Sequence, residues 1–388
     1  MIKVVNIISD SNIGGAGRCV LNFLKYYDRN KFDVSVIVPR GSQLIPEIEK
    51  LKTEVIEADN IAEKSFDVQA IGQLMAIITN LRPDIVHTHG CLSGRFAAKA
   101  CLRKVVYTRH SVFPVKKIIS RQPGKYINKA LNEYLADDII AVAEAAKENL
   151  LEGGISAKKI KVILNGVEEV KPCTAEENRE TREKYGLSES DFVVGIMARM
   201  EEYKGHKYLI DAAEILKKKG KNIKVLIAGT GAYEEELKRY TAEKQMEDTI
   251  IFAGFVSDVR RILGVMNVQA NASYGTEATS LALLEGMSLG IPAVVSNYGG
   301  NPGVITHGEN GYIFRTKDSE DMAGYLEKLY DEKETYEYMK KKSKKIFNSK
   351  FTADIYADNI CDVYSGLVKN KRKKKDEGKI VWKPRRLK

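Results

Sequence analysis

Short apolar runs alternate with amphipathic stretches along most of the chain. In the first half, such runs predict β-strands at residues 4–8, 32–38, 84–87, 105–108 and 139–143. Apolar residues at helical spacing follow several of them, for example Val20, Phe23 and Tyr27 on one face of a helix. The second half repeats the order, with strands predicted at residues 193–197, 225–228, 250–253 and 293–295. Repeated strand–helix units predict parallel sheets, so we expect two doubly wound α/β domains facing each other across a ligand cleft.

A polar segment separates the two halves. Residues 167–178 include Pro172 and carry few apolar side chains, which is typical of a linker between domains. We therefore predict an N-terminal domain at residues 1–170 and a C-terminal domain at residues 171–350. The length of 388 residues agrees with two domains, because a single core rarely serves a chain this long.

The net charge of +10 comes almost wholly from the end of the chain. Residues 369–388 hold eleven Lys or Arg and two acidic residues, a net charge of +9, and we define residues 370–388 as the basic tail. Three interpretations are open: a disordered solubilising tail, attraction to anionic lipid with Trp382 at the interface, or contact with nucleic acid. No recognition motif accompanies the charge, so we expect no nucleic-acid partner. A second basic segment, residues 116–129, predicts either an acceptor or membrane surface or a solvated helix.

Cysteines and apolar runs bear on the compartment. The five cysteines are scattered, without a C-x-x-C pair, which argues against a disulfide framework or zinc site and fits a reducing cytoplasm. No apolar run approaches the roughly 18 residues of a membrane span, and the first ten residues resemble a strand rather than a signal peptide. We expect a cytoplasmic protein. Peripheral attachment to the inner face of the cell membrane is a hypothesis that rests on the basic tail.

Residues 271–314 contain the densest chemical signals. Their pattern predicts a loop, a helix capped by Thr279 and Ser280, a short strand and a second glycine-rich loop. A helix N-terminus offers free N–H groups to an anion. Glu277 and Glu285, with seven residues between them, suit the hydroxyl groups of a sugar or ribose instead, because a carboxylate repels phosphate. Two solvated surface glutamates are the alternative, since this spacing also recurs by chance.

A glycine-rich turn follows the first predicted strand. Gly14, Gly15 and Gly17 lie between that strand and the first helix, an arrangement that brings backbone N–H groups up to a phosphate. The spacing differs from the dinucleotide fingerprint G-x-G-x-x-G, which disfavours a nicotinamide-dependent dehydrogenase. Glycine turns also join strands to helices without any ligand, so the turn alone does not decide.

Three histidines follow predicted strands of the first half. His87 and His89 end one strand and His110 follows the next, at the sheet edge where ligands bind in open α/β folds. We predict that His87 and His89 point to opposite sides of their strand, so that at most one faces the ligand. His110 is our candidate for a polar group at the cleft, with a histidine that caps local backbone as the alternative. We expect no metal site, because no further ligands accompany these residues.

Two cations follow the first predicted strand of the second half. Arg199 and Lys204 lie on one loop, from which both can reach the cleft and bind a diphosphate. The alternative is a pair of surface cations bound to Glu201 and Glu202. We prefer the diphosphate interpretation because carboxylates and glycine loops accompany the two cations.

Several short motifs occur in a fixed order along the chain. They are the glycine turn at 14–17, H-x-H-G at 87–90, His110, L-N-G-V at 164–167, R-x4-K-G at 199–205, G-x-G at 229–231, F-x-G-F at 252–255, E-x7-E at 277–285 and G-G-N-P at 299–302. In this order they resemble the motifs of family-4 retaining glycosyltransferases of the GT-B fold. The resemblance covers nearly all of residues 1–365. It implies two Rossmann-like domains, with residues 351–369 crossing back onto the N-terminal one.

The resemblance also implies a role for each matching residue. Arg199 and Lys204 would hold the diphosphate of a nucleotide-sugar donor. Glu277 would contact hydroxyls of the transferred sugar, and His110 would lie beside that sugar. The residues implied to bind the donor are Gly14, Gly15, Gly229, Gly254, Phe255, Thr279, Ser280, Leu281 and Glu285. No cofactor and no metal is implied.

The implied activity is retaining, metal-independent transfer of a sugar to a saccharide or lipid-linked acceptor, as in cell-surface polysaccharide or glycolipid synthesis. Two positions depart from the family pattern: Gly303 stands where many relatives have glutamate, and Ala143 where many have serine. The cations and the E-x7-E pair are intact, so we expect an active enzyme. A sugar-nucleotide epimerase of the same fold, or a non-catalytic protein that binds a nucleotide-sugar, are the alternatives.

Overall fold

Two parallel β-sheets form the framework of the computed structural model, which describes residues 1–62 and 66–377. The N-terminal sheet contains β1 (Ile2–Ile8), β2 (Phe32–Pro39), β3 (Glu54–Ala58), β4 (Ile85–His89), β5 (Lys104–Arg109), β6 (Asp138–Ala141) and β7 (Ile160–Val162). Its strand order is β3-β2-β1-β4-β5-β6-β7. The helices of this half are α1 (Gly15–Tyr26), α2 (Ile45–Lys50), α3 (Val68–Leu81), α4 (Leu92–Ala100), α5 (Lys117–Ser120), α6 (Gly124–Leu135) and α7 (Glu144–Glu152).

The C-terminal sheet has six strands. They are β8 (Phe192–Met197), β9 (Ile223–Ala228), β10 (Ile250–Gly254), β11 (Val268–Asn271), β12 (Ala293–Ser296) and β13 (Gly311–Phe314), in the order β10-β9-β8-β11-β12-β13. The helices are α8 (Ala175–Lys184), α9 (His206–Lys218), α10 (Glu234–Glu243), α11 (Val259–Val265), α12 (Leu281–Ser288), α13 (Asn301–Val304), α14 (Ser319–Asp331), α15 (Lys333–Lys350) and α16 (Ala353–Glu377). The prediction of two doubly wound α/β domains is confirmed.

Both sheets reverse their winding beside their first strand. In the N-terminal sheet β1 lies between β2 and β4, and in the C-terminal sheet β8 lies between β9 and β11. A crevice opens at the carboxyl ends of the strands where such a reversal occurs, because the connecting helices leave in opposite directions. The glycine turn follows β1, the loop with Arg199 follows β8, and the loop with Glu277 follows β11. The topology therefore brings the predicted site loops to the two reversal points.

The last helices return to the N-terminal domain. Phe351 and Tyr356 belong to the same buried cluster as Val4 and Phe23. The ring of Tyr364 meets that of Phe23 edge-on at 5.8 Å between centroids. The backbone of residue 167 exchanges hydrogen bonds of 2.9 and 3.0 Å with the chain at residues 351–353, where α15 gives way to α16. Burial of these aromatic side chains fixes the crossing helix against α1.

The predicted linker at residues 167–178 is wrong at its end, because α8 begins at Ala175 with a capping box formed by Thr174 and Glu177. Among the residues that the structure describes, no helix is both long and apolar enough to cross a membrane. The part of the basic tail from 378 to 388, with Trp382, lies outside the described residues.

Candidate active site

A buried ion pair joins two loops of the C-terminal domain. Lys204 Nζ lies 2.8 Å from Glu277 Oε2, with side chains 15% and 8% exposed. Gly205 has φ of 74°, and a Cβ there would lie 2.1 Å from the carbonyl oxygen of Ala272. Only glycine permits this approach, so it lets the loop after β8 pack against the chain leaving β11. This close packing of the two loops brings Lys204 and Glu277 together.

Further donors fix the Glu277 carboxylate. Ser273 Oγ and Asn271 Nδ2 donate to the same oxygen, Oε2, at 3.0 and 3.3 Å. Oε1 accepts no hydrogen bond from the residues that the structure describes. One oxygen therefore holds the side chain in place, and the other is available to a hydroxyl group.

Arg199 lies on the same loop with its guanidinium exposed to solvent. Its Nη2 is 3.4 Å from the Tyr203 hydroxyl, and it forms no ion pair within the described ranges. Lys204 pairs with Glu277 rather than with the neighbouring Glu201 or Glu202. In the described structure, Glu201 and Glu202 therefore do not neutralise the two cations. Arg199 can bind an anion.

Glu285 faces the N-terminal domain from α12. Its Oε1 accepts a hydrogen bond of 2.8 Å from Arg18 Nη1 on α1, and its Oε2 is buried without a partner in the described structure. Burial raises the pKa of this carboxyl, and the Arg18 charge opposes the rise. A buried carboxylate oxygen without a partner is costly unless a ligand or water donates to it. The pair also links the two domains across the cleft.

The start of α12 is only partly as predicted. Ser280 caps the helix, with Leu283 N–H donating to its Oγ at 3.4 Å. Thr279 does not cap: its hydroxyl donates at 3.0 Å to the carbonyl of Val142, in the N-terminal domain. Leu281 is the first residue of the helix. This helix end therefore contacts the other domain as well as the cleft.

The predicted donor-binding glycines divide into two groups. Gly14 and Gly15 begin α1, and a Cβ at Gly15 or Gly254 would meet no atom within 4 Å, so both have open space beside them. Gly229, at φ of 137°, would place a Cβ 2.1 Å from the Ala198 carbonyl, directly before Arg199. Its close packing positions the arginine loop. Phe255 is 79% exposed at the end of β10.

The histidines correct one prediction. His87 and His89 are two residues apart, so they lie on the same face of β4, and their ring centroids are 4.3 Å apart. The prediction that they point to opposite sides is wrong, because side chains alternate at every residue and not at every second one. His89 Nδ1 lies 2.8 Å from Nε2 of His110, which is partly exposed at the sheet edge. His87 is buried between Tyr364 and Thr108.

Family models match both halves of the chain. The model described as Glycosyltransferase Family 4 matches residues 13–170, and that described as Glycosyl transferases group 1 matches residues 177–346. This chain belongs to the family-4 glycosyltransferases.

Relatives agree with that assignment, and solved structures share the fold. An Escherichia coli UDP-Gal:alpha-D-GlcNAc-diphosphoundecaprenol alpha-1,3-galactosyltransferase is 26% identical, and the alignment covers 95% of this chain and 98% of the relative. The capsular polysaccharide biosynthesis glycosyltransferase CapM of Staphylococcus aureus is 25% identical, with 95% and 98% covered. Anabaena HepE, solved with UDP, has a TM-score of 0.82 at 20% identity, with 94% of this chain and 100% of that chain covered. The glycosyltransferase has the GT-B fold of two Rossmann-like domains.

Gly303, where the resemblance implies a glutamate, lies in α13. A Cβ at this position would meet no atom within 4 Å, so the space beside it is open. Ala143, the other departure, is buried at the start of α7, and that helix has no side-chain cap. Neither departure disturbs the pair between Lys204 and Glu277.

Sequence reasoning missed two residues near the site. Arg18 directly follows the glycine turn and lies on the first turn of α1. That position could have indicated a cation near the predicted phosphate-binding turn. Asn6 lies inside β1, and only the pairing of β1 with β4 brings it to His89, 3.1 Å away. In the part of the chain that the structure describes, no group of three or more His, Cys, Asp or Glu is arranged to hold a metal ion.

Proposed function

We propose that this glycosyltransferase moves a sugar from a nucleotide-diphosphate sugar to a saccharide or lipid-linked acceptor, with retention of anomeric configuration and without a bound metal. The observation that carries the proposal is the buried pair of Lys204 and Glu277, 2.8 Å apart, beside the guanidinium of Arg199, which forms no ion pair with a described residue. It provides cations for a diphosphate and a carboxylate for sugar hydroxyls within one pair of loops.

Charge development explains the cations. Cleavage of the sugar–phosphate bond leaves negative charge on the departing diphosphate. Arg199 and Lys204, together with the N–H groups at the start of α12, would stabilise that charge as it forms. Two fixed cations supply the charge that a divalent metal would otherwise provide, which supports metal independence.

The nucleoside would be held by the neighbouring elements. Glu285 Oε2, which is buried and accepts no hydrogen bond from the described part of the chain, suits a ribose hydroxyl. The open space beside Gly254 and the exposed ring of Phe255 suit a base. Gly15 at the start of α1 would approach the phosphates from the opposite domain.

The relatives support the class of acceptor. One is named for transfer to a diphosphoundecaprenol-linked sugar and another for capsular polysaccharide biosynthesis. We propose a role in cell-surface polysaccharide or glycolipid synthesis, on the cytoplasmic side of the membrane. The basic tail would contribute attraction to anionic lipid.

A helical surface of the N-terminal domain supports membrane attachment. On α6, Tyr126, Ile127 and Tyr134 are 61%, 65% and 70% exposed and lie on one arc of the helix. Five cations accompany this surface: Lys116, Lys117, Arg121, Lys125 and Lys129. None of them forms an ion pair with a described residue, and residues 113–132 contain no acidic residue. Exposed aromatic side chains flanked by unpaired cations suit an anionic lipid surface.

The first test is a panel of UDP-, GDP-, ADP- and TDP-sugars, in EDTA, with nucleotide release as the readout. We expect slow hydrolysis of one donor by the wild type and a loss of about 100- to 1000-fold in Arg199→Ala. Arg239→Ala, on the surface of α10, is the matched control and should leave the rate unchanged. Once an acceptor is found, the anomeric proton coupling of the product reports retention.

Other outcomes would overturn the proposal. Release that disappears in EDTA and returns with a divalent cation contradicts metal independence. Conversion of the donor to its epimer identifies an epimerase. No release, with no thermal shift by any nucleotide, identifies a non-catalytic protein.

Membrane attachment has its own test. Partition onto phosphatidylglycerol vesicles should be about tenfold weaker in Tyr126→Ser/Ile127→Ser. Leu102→Ser, which removes a side chain that is 89% exposed elsewhere, is the control. Deleting residues 370–388 should weaken partition, and the part of this loss that is due to charge should disappear at high salt. Equal partition onto phosphatidylcholine vesicles contradicts the electrostatic part.

A further inference from the structure

A hydrogen-bonded series of three side chains leads from the core of the N-terminal sheet to His110. Asn6 Oδ1 lies 3.1 Å from His89 Nε2, and His89 Nδ1 lies 2.8 Å from His110 Nε2. Asn6 and His89 are 1% and 4% exposed, so the protein rather than bulk water supplies their partners. Both ring nitrogens of His89 therefore have one fixed neighbour each.

Both imidazoles are neutral near pH 7. Burial lowers the pKa of His110 to about 4 and that of His89 well below its usual value. A neutral imidazole donates from one nitrogen and accepts at the other. The direction of the hydrogen bond at Asn6 therefore sets the direction of every later bond in the series.

Asn6 presents its carbonyl oxygen to His89. The amide nitrogen of Asn6, Nδ2, is buried and has no hydrogen-bond partner among the described residues. Because a carbonyl oxygen can only accept, His89 Nε2–H must donate to Oδ1. His89 Nδ1 then accepts from His110 Nε2–H. The remaining nitrogen of His110, Nδ1, carries a lone pair and forms no hydrogen bond with a described residue.

We propose that Asn6 and His89 are positioning residues that hold neutral His110 as a hydrogen-bond acceptor toward the cleft. The donor-sugar group facing His110 is then a hydroxyl, which can donate, and not a carboxylate, which can only accept. The donor would be a neutral sugar rather than a uronate. This last step rests on the proposed function, because it takes His110 to lie beside the transferred sugar.

The tautomer can be measured without any donor. Long-range ¹⁵N–¹H correlation spectra of histidine-labelled protein separate Nδ1–H, Nε2–H and cationic imidazoles, and the chain has five histidines. We expect His110, assigned with His110→Gln, to be protonated at Nε2 only, and to stay neutral from pH 7 to pH 5. A wild-type spectrum with His110 protonated at Nδ1, or cationic at pH 6, overturns the proposal without any variant.

Variants test the positioning role. In Asn6→Ala and in His89→Phe, His110 should show a mixture of both tautomers, because its partner is no longer fixed. His307, an exposed residue in the C-terminal domain whose Nδ1 accepts from Ile313 N–H at 3.1 Å, is the internal reference and should not change. A folded Asn6→Ala protein with the wild-type His110 tautomer contradicts a role for Asn6.

The substrate specificity is tested by comparing a nucleotide-hexose donor with the nucleotide-uronate donor that has the same base and the corresponding oxidised sugar. We expect kcat/KM for the uronate donor to be lower by at least about 10-fold. The reason is that the carboxylate of the uronate and Nδ1 of His110 both only accept hydrogen bonds, so neither could satisfy the other in a desolvated site. In His110→Gln, whose amide can donate to a carboxylate, the difference in kcat/KM between the hexose and uronate donors should be smaller. Equal use of the uronate overturns the specificity. If no donor is used at all but the tautomer is as expected, the proposed function fails and the hydrogen-bond series stands.

Discussion

The pair of Lys204 and Glu277 gives the sharpest stability prediction. Their side chains are 15% and 8% exposed, so substitution of one partner leaves the other charge largely buried. Glu277→Gln keeps the shape and leaves Lys204 unpaired, at an expected cost of about 3 kcal/mol. For a domain of this size that corresponds to about 6–12 °C in Tm. The loss has an electrostatic origin, since the amide can still accept from Ser273.

A double-mutant cycle isolates the interaction. Lys204→Met and the double variant Glu277→Gln/Lys204→Met complete the cycle, with thermal unfolding by calorimetry as the assay. We expect the double variant to be more stable than the sum of the single effects predicts, by about 2 kcal/mol. The exposed pair of Lys217 and Asp248, 2.6 Å apart and 40% and 66% exposed, is the control and should couple by less than about 1 kcal/mol. Additivity at Lys204 and Glu277 within about 0.5 kcal/mol would refute the reasoning.

Three further predictions concern the cleft and its surroundings. Arg18→Met removes the charge that opposes the raised pKa of Glu285, so the carboxyl stays protonated to higher pH. The loss of nucleotide affinity, measured by calorimetry, should grow as the pH is lowered, and a loss that does not change with pH contradicts this. Gly303→Glu should leave Tm unchanged, because a Cβ at that position meets no atom within 4 Å. Gly300→Ala should lower Tm by several degrees, because its Cβ would lie 1.4 Å from the carbonyl oxygen of Ala278. A lower Tm for Gly303→Glu than for Gly300→Ala in a thermal unfolding experiment excludes this packing. Burial lowers the pKa of His110 to about 4 and also lowers the pKa values of His87 and His89 on β4. Below about pH 6.5 the unfolded chain therefore binds more protons than the folded chain, and the free energy of unfolding should decline from pH 7 to pH 5. A Tm that stays constant across that range contradicts this prediction.

Much of the fold follows from local patterns. Strand and helix periods, with glycine at the strand ends, predict two doubly wound sheets because those patterns depend only on neighbouring residues. The loop bearing Arg199 could be located for the same reason, since it directly follows an apolar run, whereas β11, the strand before the Glu277 loop, was not among the predicted strands. The error at His87 and His89 was one of geometry, because residues two apart on a strand share a face.

Partners distant in the sequence could not be predicted. Arg18 meets Glu285 across 267 positions of the chain, and Tyr364 meets His87 across 277. The capping role expected of Thr279 failed because its hydroxyl reaches a carbonyl of the other domain, 137 positions away. No local period records such contacts, which depend on how the domains and the crossing helix pack.

The sequence by itself determined the class of elements, their order and the residue types at the strand ends. Those properties follow from backbone periodicity and from the conformational needs of glycine, which act over a few residues. Only the tertiary structure decided which side chains meet: Lys204 pairs with Glu277 rather than with an adjacent glutamate, and His89 lies between Asn6 and His110. The physical reason is that burial makes an electrostatic or hydrogen-bond partner obligatory, and the packed fold alone brings that partner within reach.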